Sequence, residues 1–259
     1  MDEDVYILKL KSVSSSNFKI LFEVLKDILV RSINIVFTKN CMKISEIDSL
    51  EKAMVHLEID SNAFQYYHCS EELIKIGVNA IDLFKMIKVS SSQDAISFLI
   101  KKDNPDVFIV RLENSLKNKV FESSIKLLNI EKEIMNIPDI EYEYMITLPS
   151  TDFQNTFKNL NSLGDHDVNV EIKKVGSQLI FSHKGDVSHQ RVIYLINHEE
   201  DSSIIQGVYD LKYLLLFSKS HKINTDVNLY LTNDNPLIIE YKVADLGALR
   251  FLLTQQEEN

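Results

Sequence analysis

Glycine is scarce. The chain of 259 residues carries six, where average usage of roughly 7% would supply about eighteen, and no two of them stand as G-x-G. That excludes a dinucleotide-binding fingerprint, and the absence of G-x-x-x-x-G-K-S/T excludes a P-loop. The two cysteines, Cys41 and Cys69, are too few for a disulfide framework or a zinc module, and no secretory leader precedes them, so a reducing, intracellular compartment is expected. Long apolar runs are also missing: stretches such as Tyr213–Phe217 fall far short of the ~18–20 residues a membrane span needs. Cations are outnumbered, with 28 Lys and Arg against 38 Asp and Glu and a net charge of −10. Spread evenly, that charge repels nucleic acid, so such a partner requires a local reversal of sign. What remains is 45% hydrophobic, enough for a folded core, and the length suits two modest domains or one large one.

The chain repeats itself. Phe18, Phe22, Leu25 and Ile28 follow the spacing of an amphipathic helix, and Phe153, Phe157, Leu160 and Leu163 repeat it 135 positions on. Gly77-Val78 leads into Asp82-Leu83 and a helical run ending at Ser90–Ser92, as Gly207-Val208 leads into Asp210-Leu211 and a run ending at Ser218–Ser220. Helices are therefore expected over 12–30, 80–89, 150–163 and 209–222, with Asp82, Asp152 and Asp210 as their caps. Alternating, β-branched runs predict strands at Val5–Leu10, Ile33–Phe37, Ala53–Ile59, Ala95–Ile100 and Val107–Leu112. The second half adds Tyr144–Leu148, Val168–Ile172, Leu179–His183, Arg191–Ile196, Val227–Leu231 and Leu237–Val243. The expected organisation is α+β: two similarly folded, β-rich domains with two helices each, at 1–126 and 139–259, joined by a connector at 127–138 that ends on Pro138.

Charge reverses on the helices. Their segments hold eight lysines (Lys19, Lys26, Lys85, Lys88, Lys158, Lys212, Lys219, Lys222) against five acids, a net of +3, which leaves −13 for the rest of the chain. Lysine is also a common residue of exposed helix faces. If all four helices share one side of the sheets, however, the cations form a surface that contacts phosphates without reading bases.

The C-terminal run Pro236-Leu237-Ile238-Ile239-Glu240-Tyr241-Lys242-Val243-Ala244-Asp245-Leu246-Gly247, followed by Leu249-Arg250-Phe251, resembles the ending of the DNA sliding clamps of the proliferating cell nuclear antigen type. Asp48-Ser49, Phe64–Cys69, Ile137-Pro138 with Glu141-Tyr142, and Leu148-Pro149-Ser150 through Leu163-Gly164-Asp165 extend the resemblance over essentially the whole chain. It implies a DNA polymerase processivity factor, not an enzyme and without a cofactor: a homotrimeric ring around duplex DNA, helices inward and sheets outward. By motif position Lys19, Lys26, Lys85, Lys88, Lys158, Lys212 and Lys219 line the hole, while Asn155 and Asn159 leave the third helix poorer in cations than the family pattern. Ring closure falls to Lys119–Leu127 and Val187–Leu195, with Phe121, Ser123 and Ile125 meeting Val192 and Tyr194; Ser123 stands where an aromatic is usual. Polymerase, clamp loader and other DNA enzymes are expected to insert a short peptide into a pocket beneath the connector, lined by Ile47, Met54, Met135, Ile137, Pro138, Pro236 and Leu252 with Thr254 and Gln255 on its rim. By burial statistics alone Ile47, Met54 and Ile137 read equally well as core. Glu51 replaces a common histidine and Leu252-Leu253-Thr254-Gln255 a familiar aromatic-Leu-Ala-Pro.

Two alternatives stay open on the sequence. One is a subunit of a mixed, checkpoint-type ring. The other is a metal-dependent hydrolase built on Asp165, His166 and Asp167 with His183 or His189. The resemblance implies the nucleus, or the replication site of a large DNA virus, and places Lys173 and Lys174 near a regulatory modification site.

Overall fold

Residues that alternate apolar and polar, or recur at helical spacing, bury one face each, and a computed structural model shows how this chain satisfies both periods. The structure describes every residue except 1–4, 14, 30–31, 49, 131–134, 136, 138–139, 163–168, 186–188, 197–202, 234 and 257–259. Two compact units emerge: residues 1–46, 56–136 and 242–249 in the first, residues 47–55, 137–241 and 250–259 in the second.

The first part of the chain runs β1 (Tyr6–Ser12), α1 (Ser15–Ile28), β2 (Ser32–Thr38), β3 (Cys41–Ile47), β4 (Ala53–Asp60), β5 (Tyr66–Cys69), β6 (Leu73–Asn79), α2 (Ala80–Ile87), β7 (Ala95–Lys101), β8 (Asn104–Asn114) and β9 (Lys119–Lys126). In the first unit, β5-β1-β7-β8-β9 make one antiparallel sheet and β3-β2-β6 pair in another. α1 packs along α2. Its Phe18 and Phe22, both buried, meet Phe98 of β7 at 5.3 and 6.4 Å between ring centroids. Phe37 of β2 reaches Phe108 of β8 at 6.3 Å, so aromatic rings join the two sheets.

The chain continues through β10 (Tyr144–Pro149), α3 (Ser150–Ser162), β11 (Asn169–Val175), β12 (Gln178–Lys184), β13 (His189–Leu195), β14 (Ile204–Asp210), α4 (Leu211–Ser218), β15 (Asp226–Leu231), β16 (Leu237–Val243) and β17 (Gly247–Leu253). In the second unit, β13-β12-β11-β14 form one antiparallel sheet and β10-β15-β16 pair in another. α3 packs along α4, and Phe153 and Phe157 both meet Phe181 of β12, at 6.3 and 5.5 Å. The repeated spacing thus encodes a repeated packing: two helix phenylalanines set on one strand phenylalanine. Each such ring contributes about 3 kcal/mol or less by burial. Ile28, the fourth member of the first set, is only half-buried, and Leu163, its counterpart, lies outside the described residues. Both units are β-rich with two helices, the α+β arrangement expected from the sequence.

Six strands escape the alternation pattern: β3, β5, β6, β9, β14 and β17. In β6 and β14 the reason is glycine, which ordinarily weakens a strand. A Cβ on Gly77 would lie 2.3 Å from the Leu128 carbonyl oxygen, which docks there through a Leu128 N–H bond of 2.8 Å to the Gly77 oxygen. A Cβ on Gly207 would lie 2.6 Å from the Tyr209 hydroxyl. Both glycines exist because another group occupies the space of a side chain.

Two of the three expected caps are corrected. Asn79 caps α2, its Oδ1 accepting from the N–H groups of Ile81 and Asp82 at 3.0 and 3.1 Å. Asp82 sits in the first turn, where it complements the helix dipole and accepts from Lys85 at 2.7 Å. Asp152 likewise lies in the first turn of α3, which begins at Ser150. Asp210 does cap α4, accepting from the Lys212 N–H at 2.8 Å.

Candidate functional site

The helix lysines divide by what they touch. Lys19 of α1 is half-buried and donates to the Ser90 carbonyl at 3.3 Å, across to the end of α2. Lys26 pairs with Asp27 and lies 5.0 Å above the Phe84 ring of α2. Lys85 is held by Asp82. Exposed Lys158 of α3 donates to Gln154 at 2.9 Å, one turn back. Lys88, Lys212 and Lys219 are exposed and carry no ion pair among the described residues. Pairing of α1 with α2 therefore gathers Lys19, Lys26, Lys85 and Lys88 in the first unit, and pairing of α3 with α4 gathers Lys158, Lys212 and Lys219 in the second.

β9 is an outer strand of the five-stranded sheet, at the edge opposite β5, and β13 an outer strand of the four-stranded sheet, opposite β14; among the described residues neither pairs on its outer side. On β9, Phe121 is exposed while Ser123 and Ile125, on the same face, are half-buried; Val120 is exposed on the other face. On β13 the expected contact residues are Val192 and Tyr194. Both sit on the half-buried face, where the Tyr194 ring meets Phe181 at 5.8 Å and its hydroxyl is 2.6 Å from Thr156 Oγ1. Strand alternation turns Ile193 and Leu195 outward instead, the latter 82% exposed.

The pocket residues in the second unit largely converge. Met54, Ile238 and Leu252 form a buried cluster, and Ile47, Ile137, Tyr142 and Tyr230 pack against it only partly buried. Ile47, Met54, Ile137 and Leu252 were legible in the sequence; Tyr142, Tyr230 and Ile238 were not singled out. Cross-strand register supplies the missing signal, since Tyr230 pairs with Ile238 and with Met145. Pro236, half-buried, presents its carbonyl to the Tyr142 hydroxyl at 3.2 Å, and burial pushes that phenol up to about 12. Exposed Thr254 bonds back to Lys52, through its N–H at 3.0 Å and its hydroxyl at 3.1 Å, and Gln255 donates to the Asn233 carbonyl at 2.6 Å. Met135 is exposed in the first unit, and Pro138 lies outside the described residues.

Asp48 shapes the turn between Ile47 and Met54. Its carboxylate accepts N–H bonds from Leu50, Lys52 and Ala53 at 3.1, 2.8 and 2.8 Å, and the Tyr213 hydroxyl of α4 at 2.5 Å. Burial alone pushes this carboxyl up, but the Tyr213 and backbone donors outweigh it and hold it below the usual range. An aspartate that accepts from backbone N–H groups a few residues on fixes a turn, which is the local role of Asp48 in the Asp48-Ser49 motif.

The remaining candidates fare differently. Asp165, His166 and Asp167 lie outside the described residues. Among the described residues no group of three or more His, Cys, Asp or Glu is arranged to hold a metal. His183 is buried with Nδ1 3.0 Å from the Asn169 carbonyl, and His189 is exposed at the start of β13. Lys173 is half-buried, whereas Lys174 is fully buried.

Comparison with known proteins agrees with this geometry. The family model described as proliferating cell nuclear antigen, N-terminal domain, matches residues 7–135, and the one for its C-terminal domain matches residues 136–256. A probable DNA polymerase sliding clamp of Paramecium bursaria Chlorella virus 1 is 29% identical over 264 residues, covering 98% of both chains. With the two domain models meeting end to end along nearly its full length, and a relative alike from end to end, this chain belongs to the proliferating cell nuclear antigen family.

Proposed function

We propose that the protein is a DNA polymerase processivity factor, a non-enzymatic sliding clamp that closes into a homotrimeric ring around duplex DNA. The observation that carries this reading is the ordered match of both clamp domains over residues 7–256. The likeness to a viral sliding clamp supports it.

Physical features of each unit suit the role. A chain of net charge −10 places exposed Lys88, Lys212 and Lys219, without an ion pair among the described residues, in or at the end of its helical segments. Lys19, Lys26, Lys85 and Lys158 add cations whose partners lie on their own helix or at the end of the neighbouring one. Such lysines attract phosphates without reading bases, so motion along the duplex meets small barriers while the closed ring prevents escape. The free edges of β9 and β13 suit mutual pairing between copies, which turns two aggregation-prone edges into one continuous sheet and closes a cyclic assembly. Phe121 and Ile125 from one copy would then face Ile193 and Leu195 from the next.

The cluster around Met54, Ile238 and Leu252 serves as the docking pocket for short peptides of the polymerase, the clamp loader and other clients, with Ile137 and Pro236 at its margin. Aromatic anchors buried there supply most of the affinity. The site of action is where replication occurs, in a nucleus or a viral replication compartment. Processive synthesis on a primed circular template, with a loader and polymerase of the same source, tests the reading. Product length is expected to rise severalfold on adding the clamp, and the purified chain is expected to sediment as a trimer. No gain in product length rejects the function.

A further inference from the structure

The four-stranded sheet of the second unit has a face that its helices do not use. Phe181 of β12 turns toward α3, where it meets Phe153 and Phe157. Strand alternation sends the intervening residues to the opposite side, and cross-strand register sets them in rows. One row reads Leu195, Gln178, Val175, Ile204 across β13, β12, β11 and β14, and the next reads Ile193, Ile180, Lys173, Gln206. Ile193, Leu195 and Ile204 are 40%, 82% and 49% exposed, and Val175 and Ile180 lie half-buried between them. Single aliphatic residues are ordinary on a surface, but a contiguous patch spanning every strand of a sheet marks a contact site.

Charge beside this patch runs opposite to that of the chain. The third row reads Arg191, Ser182, Glu171, Val208, and Lys184 opposite His189 continues it. Glu171 is already engaged, accepting from the Ser182 hydroxyl at 2.9 Å. Lys173, Lys184 and Arg191 carry no ion pair among the described residues. These cations border the aliphatic patch in a protein whose residues outside the helical segments sum to −13. A second copy of the chain would bring the same cations against them. Nucleic acid would satisfy the cations, but the three rows hold no Phe, Tyr or Trp on which a base could stack. A protein segment that carries aliphatic side chains beside aspartate or glutamate meets both the apolar centre and the cationic rim.

We propose that this face is a second docking surface, for a partner segment rich in aliphatic and acidic residues. It is separate from the pocket around Met54, Ile238 and Leu252, which lie on β4, β16 and β17, and does not depend on how that pocket is used. Ile193 and Leu195 belong to the edge strand that ring closure also uses. Val175, Ile180, Ile204 and Lys173 stand on the three strands behind it, so pairing of the β13 edge, which engages backbone groups along one side of the sheet, leaves them open.

The test uses the full-length protein and a fluorescently labelled synthetic peptide of leucine and glutamate, with two controls, one carrying lysine for glutamate and one serine for leucine. Wild-type protein is expected to bind the leucine–glutamate peptide about tenfold more tightly than either control, with affinity falling as salt is raised. Lys173→Glu is expected to weaken that peptide about tenfold and to strengthen the lysine control. Ile204→Ser is expected to weaken it about fivefold or more. Sedimentation and thermal unfolding establish that each variant keeps its assembly, and Ile204→Gln repeats the measurement if Ile204→Ser does not. Unchanged binding by Lys173→Glu and by the Ile204 variant overturns the proposal, because the peptide then sits elsewhere. Wild-type protein that does not distinguish the three peptides overturns it too. So does a labelled single-stranded oligonucleotide, or a second ring seen by sedimentation, that binds wild type in place of the peptide and is lost in the same variants. None of these readouts involves a polymerase, so failure here leaves the processivity reading standing.

Discussion

At the scale of single residues, Lys174 is the most exposing case. Alternation along β11 puts Val170, Ile172 and Lys174 on the core face and Glu171, Lys173 and Val175 on the other. The position is therefore an apolar one filled by a cation. Among the described residues its Nζ has no hydrogen-bond partner, and it sits 3.7 Å from the centroid of the Tyr144 ring. A cation–π contact offsets part of the cost of taking an ammonium out of water, but not the loss of its hydration donors. The four-carbon stem, by contrast, packs as any apolar chain does. Lys174→Met keeps the stem and removes the charge, so stability should stay unchanged or rise by about 1 kcal/mol, read as the urea midpoint. Lys174→Ala removes the stem as well and should cost about 2 kcal/mol or more. A Met variant less stable than wild type by over about 1 kcal/mol would show that the ring contact outweighs desolvation. Burial also leaves Lys173, not Lys174, as the member of the pair that a modifying enzyme could reach.

Elements were legible where one periodicity ran uninterrupted. α1 and α3 follow from phenylalanines four apart, and β1, β10, β11 and β15 from alternation, because in each a single face is buried. β6 and β14 were illegible because glycine breaks their apolar pattern: Gly77 is set by a distant neighbour, the Leu128 carbonyl, and Gly207 by the Tyr209 ring two residues along its own strand. β5 is four residues long, too short for a period to show. The pocket was half legible for a related reason: motif position named Met54 and Leu252, but Tyr230 entered only through its cross-strand pairing with Ile238. Edge strands carry the same lesson. The segment of β13 was identifiable, yet a one-residue change of face decides which side chains a neighbouring copy meets. Ile193 and Leu195 face outward, so Leu195→Glu should place a charge in any interface formed by that edge while leaving the core contacts of Tyr194 untouched. Under the proposed trimeric assembly, the variant is expected to sediment as a monomer at concentrations where the wild type sediments as a trimer, with unchanged circular dichroism. A trimer that survives Leu195→Glu would move the interface away from this edge.

For the whole molecule, the decisive property is that charge is sorted by element rather than averaged. The helical segments hold a net +3 and the remainder −13, so the acidic total describes the sheets and loops, not the helices. Lys88, Lys212 and Lys219 are the purest carriers of this sorting, exposed and without carboxylate partners among the described residues. Replacing all three with alanine should alter stability by less than about 0.5 kcal/mol per site, because none packs into the core. Loading onto DNA should respond differently. Each phosphate contact releases counterions, so the wild-type loading efficiency falls steeply with salt and the variant's more gently. The two curves are expected to differ most at low salt and to converge at high salt, where screening removes the advantage of the lysines. Once loaded, the variant should remain processive, since a closed ring is retained by topology and not by affinity. Measuring loading and product length separately across a salt series distinguishes the two effects. Parallel loading curves at every salt concentration would show that these lysines do not face the duplex.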